Sequence, residues 1–261
     1  MKNLVSVNLK GGLGNYLFQI ACVFDYSLKH NKRLILDEKL AHAVHNKIST
    51  YKDNVLLKVE FENFKIDDFK YLYREKDFSY SKIPEIKDNL VLDGYFQSEK
   101  YFINNKDYII NLFKPTENIK QIILERLPNV QDSISIHIRR GDYLTSPDFH
   151  PQQSLDYYMS AINLLGVDRN YLIFSDDLDG VKLMFDFLPN KQFISLGKDY
   201  LDLYTMSMCE HNIICNSTFG WWGAYLNENK DKKIIGPNNW FGPASAFLNS
   251  SDILPDNWIK I

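Results

Sequence analysis

Cysteine is scarce and odd in number: Cys22, Cys209 and Cys215 are the only three in 261 residues. All three lie in apolar segments, which excludes a disulfide-stapled fold and reads as free buried thiols in a reducing compartment. Cys209, His211 and Cys215 fall close together, but their spacing fits no zinc pattern and no second cluster completes it, so no metal is assigned. Long apolar runs are missing too. No stretch approaches the roughly 18 residues needed to span a bilayer, and residues 1–9 alternate instead of forming the apolar core of a leader. A cytoplasmic protein without a transmembrane segment is expected. Charge of one sign is not in excess: 30 Lys and Arg face 33 Asp and Glu, a net of −3. That excludes a general nucleic-acid binder, and it means that any anionic ligand must be held by a local site. There is no internal repeat and no low-complexity tract.

What is there is ordinary globular composition, 45% hydrophobic and 24% charged, enough for one large domain or two of modest size. Residues 4–9 alternate as a strand, the turn Gly11-Gly12-Leu13-Gly14 follows, and Leu17, Ile20, Ala21, Phe24 and Leu28 recur at helical spacing. A strand over 33–36 then ends at Asp37. This βαβ opening predicts a parallel sheet. Residues 41–84 are aromatic-rich without a clean period and read as helical and loop insertions. A strand returns at 90–92 and a helix over 99–113. Lys114-Pro115 breaks it, Thr116 starts another helix to about 127, and Pro128 ends that one. From residue 129 strands and helices alternate: strands ending at His137, over 171–174, 192–194, 212–215 and 233–235, with helices between them. The fold class is α/β, with the boundary inside 115–128, giving an N-terminal lobe of residues 1–128 and a doubly wound C-terminal lobe of 129–261.

The densest chemistry is His137-Ile138-Arg139-Arg140-Gly141-Asp142-Tyr143. It follows the alternating segment Ser133-Ile134-Ser135-Ile136. Adjacent arginines at a strand's end are costly to bury unless something anionic sits there, and guanidinium forks bind phosphate oxygens bidentately. Two more strands end in polar groups: Ser175-Asp176-Asp177 and Asn216-Ser217-Thr218. Loops at one edge of a parallel sheet face one crevice. Arginines there suit a diphosphate, and hydroxyls at a helix start add donors beside its positive end. A carboxylate pair suits a base offering two N–H donors, as guanine does, while capping is the plainer role of Asp176 or Asp177 and of Ser217-Thr218. In the first lobe, Gly12-Leu13-Gly14-Asn15-Tyr16-Leu17 with Asp37 hints at a dinucleotide turn, but Leu17 stands where that motif needs glycine. Gly14-Asn15 is better read as backbone that lets a ligand approach, with Asn15 as donor and acceptor. Trp221-Trp222 could form a stacking platform, though neighbours on a helix face different ways and at most one would line a site.

Gly11-Gly12-Leu13-Gly14-Asn15, Gly94-Tyr95-Phe96-Gln97-Ser98, the stretch 137–143, Phe174-Ser175-Asp176-Asp177 and Asn216-Ser217-Thr218-Phe219-Gly220-Trp221-Trp222, taken in order, resemble the α-1,2-fucosyltransferase family. The resemblance implies two Rossmann-like lobes of the GT-B type, with the donor held mainly by the C-terminal lobe. It implies inverting transfer of L-fucose from GDP-β-L-fucose to a hydroxyl, usually O2 of a β-galactoside, with no metal or other cofactor. The acceptor side falls to the first lobe, residues 41–82 above all. The lack of an anchor is similar to bacterial members that decorate lipopolysaccharide or capsule, at most peripheral at the inner membrane. Arg139, Arg140 and Asp142 are the catalytic candidates, Asp142 as base or as orienter of an arginine. Gly14, Asn15, His137, Asp176, Asp177, Asn216, Ser217, Thr218 and Phe219 are the donor contacts. The family usually has Gln where this chain has Tyr16, which either lines the site or packs in the core. Two other classes stay open: a nucleotide-dependent oxidoreductase built on the first glycine turn and Asp37, and a non-catalytic glycan-binding protein.

Overall fold

The computed structural model describes residues 3–44, 46–64 and 68–261. They divide into two compact units, Met1–Lys114 with Asn249–Pro255, and Pro115–Leu248 with Asp256–Ile261. The division falls at Lys114/Pro115, not after Pro128. Thr116 caps the helix behind it by accepting the Ile119 amide, and that helix belongs to the second unit. The segment 249–255 returns to the first unit, where Asp252 takes the Tyr80 amide and pairs with Lys100.

The first unit holds strands β1 (Leu4–Val7), β2 (Lys10–Gly11), β3 (Arg33–Leu34), β4 (His42–Ala43), β5 (Tyr71–Arg74) and β6 (Leu90–Asp93), with helices α1 (Leu13–Lys29) and α2 (Lys106–Phe113). A four-stranded parallel sheet runs β3-β1-β6-β5, and β2 pairs with β4 beside it. The expected βαβ opening is present, its second strand shorter than 33–36. The helix expected over 99–113 is two 3₁₀ turns followed by α2. Inside 41–84 no apolar period announces β5, whose largely exposed Tyr-Leu-Tyr-Arg forms the sheet edge beside β6. Positions 45 and 65–67 of that segment lie outside the described residues.

The second unit contains α3 (Glu117–Arg126), β7 (Ser133–Ile138), α4 (Leu155–Leu165), β8 (Asn170–Ser175), α5 (Leu178–Val181), β9 (Lys191–Ile194), α6 (Asp199–Met208), β10 (His211–Ile213), α7 (Thr218–Tyr225), β11 (Ile234–Gly236) and β12 (Ile259–Lys260). Its six strands are all parallel in the order β12-β11-β10-β7-β8-β9. Counted from β7, that is the 3-2-1-4-5-6 order of a doubly wound nucleotide-type sheet. The order reverses between β7 and β10, so the loops after these two strands flank the crevice where such sheets bind ligands.

The alternation in β7 builds two different faces. Ile134, Ile136 and Ile138 join Tyr158, Ile162, Ile173 and Phe185 in the apolar core with α4 and the segment after α5. On the other side Ser135 accepts from Asn212 Nδ2 at 2.7 Å, Asn212 Nδ2 also reaches the Met206 carbonyl, and Asn227 Nδ2 donates to Asn212 Oδ1. Buried amides that close on one another in this way avoid the cost of unpaired polar groups. Among the described residues no helix is long and apolar enough to cross a membrane.

Candidate active site

β7 ends in the arginine pair because its last apolar side chain, Ile138, closes the core, and the chain then leaves the sheet at Arg139. Arg139 is held by two carboxylates: Nη2 lies 2.8 Å from Asp142 Oδ1 and Nη1 3.0 Å from Asp176 Oδ2. Arg140 Nε sits 2.9 Å from Asp177 Oδ2, and Nη1 donates to Gln152 Oε1 at 3.3 Å. Asp176 also accepts the Arg140 backbone N–H at 2.9 Å. It thus binds both the turn and one of its guanidinium groups. Gly141 makes this possible, since a Cβ there would collide with the Asp176 carboxylate. The bonds to Asp177 and Gln152 use two of the five N–H donors of the Arg140 guanidinium. Two cations face three carboxylates, so capacity for an anion comes from aimed donors and not from net charge.

Asp177 does two jobs. Its Oδ1 accepts the Gly180 amide at 3.0 Å and caps α5, while its other oxygen meets Arg140. The Arg140 guanidinium holds its carboxyl below the usual range. Both carboxylates expected to read guanine are therefore engaged with arginines or with a helix end.

Across the switch point, β10 leads through Cys215 and Asn216 to α7. Ser217 occupies the N-cap position, yet its side chain makes no capping bond. The amide end of α7 is therefore not closed by the hydroxyl, as capping had suggested, and it keeps the positive pole of a helix dipole beside half-exposed Ser217, Thr218 and Phe219. Asn216 corrects an expectation. It is buried, its Nδ2 donates to the carbonyls of Pro151 and Trp240 and its Oδ1 accepts from Gln153, so its side chain is taken up in fixing the loop. Tyr143 Oη donates to the Asn216 carbonyl at 2.7 Å, joining the two loops. Gln152, Gln153 and Tyr143 carried no role in the sequence reading. Their types are common, and only the fold brings them to these loops.

His137, expected as a donor contact, has its side chain packed beneath these loops. It is buried, with Nδ1 3.3 Å from Cys215 Sγ and the ring 5.4 Å from that of Phe219. Gly220 leaves it room, because a Cβ there would strike the imidazole. Burial and the nearby Arg139 push its pKa down to about 4. Below an ordinary unfolded value near 6.5 the unfolded chain binds the extra proton, so this group's contribution to stability is present above pH 6.5 and is lost as pH falls toward 4. Melting temperature measured from pH 4 to 7 is expected to climb less steeply in His137→Gln than in the wild type. Equal slopes would show that His137 is not buried neutral.

In the first unit, α1 starts without a side-chain cap at Gly12. Gly14 is buried in its first turn. Asn15 is half-exposed, its Oδ1 accepting from Gln97 Nε2 at 2.9 Å. Tyr16 is a core residue, fully buried, and its hydroxyl has no hydrogen-bond partner among the described residues. Tyr16→Phe removes a buried unsatisfied hydroxyl and is expected to keep activity and raise stability by about 1 kcal/mol. A collapse in turnover at unchanged stability would return the hydroxyl to the site. Asp37, buried, accepts the amides of Lys39 and Phe64. It braces local backbone, and the dinucleotide reading loses its ribose carboxylate. Trp221 and Trp222 are both completely buried, so neither offers a stacking face, and core packing is the role of both.

Fold and site together define a doubly wound α/β protein with two cationic side chains and a helix start without a side-chain cap at the switch point of the sheet. The chain belongs to glycosyl transferase family 11, whose profile matches residues 1–261. It is similar to the O-antigen biosynthesis glycosyltransferase WbnK of Escherichia coli, 28% identical over 97% of this chain and 99% of that protein. An alpha-1,2-colitosyltransferase of Escherichia coli is 30% identical over 99% of both. Among solved structures, the fucosyltransferase NodZ from Bradyrhizobium shares the fold at a TM-score of 0.50 and 13% identity, covering 85% of this chain and 91% of that one.

Proposed function

We propose that the protein transfers L-fucose from GDP-β-L-fucose to O2 of a β-galactoside with inversion, within a GT-B arrangement of two Rossmann-like lobes. Membership of family 11 and the ordered α-1,2-fucosyltransferase motifs support the reading. The observation that carries it is the pair Arg139 and Arg140, braced by carboxylates on the loop after β7, with the uncapped start of α7 following β10 on the other side of the strand-order reversal. In a single displacement the acceptor oxygen attacks the anomeric carbon opposite the leaving GDP, and charge grows on the β-phosphate. Fixed N–H donors that meet this charge stabilise the transition state more than the ground state. Arg139, Arg140, Ser217 and Thr218 are the donors proposed in the second unit, and Gly14 and Asn15 in the first. Asp142, half-exposed and bonded to Arg139, orients that arginine or takes the acceptor proton.

The test is turnover of GDP-fucose and, in parallel, GDP-colitose with a panel of galactosides, followed by linkage analysis. The colitosyltransferase relative makes the second donor necessary: colitose is 3-deoxyfucose, so the two differ by one hydroxyl. Fucosyl transfer in α-1,2 linkage, persisting in EDTA, is expected. Exclusive use of GDP-colitose would replace the donor, and activity abolished by EDTA and restored by Mn²⁺ would end the metal-independent reading.

A further inference from the structure

We propose that Gln97 is a positioning residue for the transfer reaction: it decides which end of the Asn15 carboxamide is presented to the donor substrate. The inference rests on the reading of Asn15 as a donor contact. Gln97 is 7% exposed, and its Nε2 donates to Asn15 Oδ1 at 2.9 Å. With its oxygen occupied by Gln97, the Asn15 carboxamide has its Nδ2, a hydrogen-bond donor, left to offer a ligand. That is the polarity an oxygen-rich sugar nucleotide requires.

The surrounding chain is built to hold this pose. Glu75 accepts the Tyr95 amide at 2.6 Å and the Phe96 amide at 3.0 Å from each oxygen. It clamps Phe96 at φ 52, a left-handed conformation that is uncommon for a bulky side chain and persists only where its surroundings enforce it. The Phe96 ring is fully buried and meets Tyr101 edge-on at 5.2 Å. Ser98 fixes the far side of Gln97 by accepting the Lys100 amide. Gln19 ties the loop to the glycine turn, bonding both the N–H and the C=O of Lys10 and the carbonyl of Gly94. Gly11, at φ 94, leaves open the space that Asn15 Nδ2 occupies, where a Cβ would collide. Asn15 is thus gripped from two sides although it is half-exposed, and packing alone does not call for that.

Two variants and one background test the inference. Gln97→Leu removes the bond at similar size. Gln97→Glu offers only acceptors, so Asn15 must rotate its Nδ2 inward and show an oxygen to the donor. Each is expected to lower kcat for fucosyl transfer by about 10- to 100-fold, the scale of a misplaced positioning group, with melting temperature and GDP affinity close to wild type. In an Asn15→Ala background, Gln97→Leu is expected to cost less than about twofold more, because its only route to the reaction is gone. A full additional loss in that background, or wild-type kcat in either single variant, overturns the inference while the Asn15 reading stands. Wild-type kcat in Asn15→Ala alone removes the Asn15 reading, and this inference with it. Should Gln97→Leu fail to fold, Gln97→Glu carries the same comparison.

Discussion

Arg139→Ala and Arg140→Ala are each expected to slow fucosyl transfer by about 10²–10³, the ~2.7–4 kcal/mol lost when one fixed donor to a developing oxyanion is deleted. The loss is expected in rate and not in folding. Both arginines are partly exposed, and ion pairs of that kind contribute roughly 0–1 kcal/mol to stability. The loop also keeps its main anchors without them: Asp176 still holds the Arg140 amide, Asp177 still caps α5, and Tyr143 still bonds the Asn216 carbonyl. The lysine variants are expected to recover only part of the rate, because an ammonium keeps the charge and loses the planar fork. Asp142→Asn separates its two roles. An orienting residue whose amide oxygen can still accept from Arg139 loses little, while a base loses as much as an arginine deletion. Near-wild-type turnover in both alanine variants, measured beside unchanged melting temperatures, would put the phosphate site elsewhere.

The second half of the chain was legible because each strand is short, apolar and followed by a polar turn, and because β7, β8 and β10 end in residues that make sense only at a sheet edge. The arginine pair could be found that way. What each side chain does there could not. Asn216 and Ser217 look alike in sequence, both polar, both between a strand and a helix. The fold buries one in bonds to Pro151, Trp240 and Gln153 and leaves the other at an open helix end. Tyr16 was undecidable for the same reason: a phenol on a helix can face either way until neighbours are known. In the first unit, β5 hid because an edge strand that buries almost nothing carries no apolar period. Glu75, just beyond it, therefore had no context that would link it to the loop it clamps 20 residues later.

Trp221→Ala is expected to cost the second unit about 3–5 kcal/mol, the usual penalty for emptying a large aromatic site in a core. Trp221 is fully buried and lies against three rings: Tyr225 stacked at 4.5 Å, Trp222 edge-on at 5.1 Å and Trp258 at 5.3 Å. No side chain nearby can fill that volume without leaving its own partners, so the cavity persists and the lost contacts are not recovered. The consequence reaches the site through α7. The helix is eight residues long and has no side-chain cap, so its hold on the structure is the packing of Trp221, Trp222 and Tyr225, while its first turn carries Thr218 and Phe219. A short helix is not stable alone. Loss of the ring cluster is therefore expected to release the amide end of α7 with the core, and, on the proposed donor site, GDP affinity is expected to fall together with thermal stability. Trp221→Phe, which keeps an apolar ring, is expected to recover most of both. Denaturant midpoints and GDP titrations on the two variants decide the matter. A Trp221→Ala protein of wild-type stability that has lost only donor or acceptor binding would mean that the indole faces the ligand, as a stacking platform would.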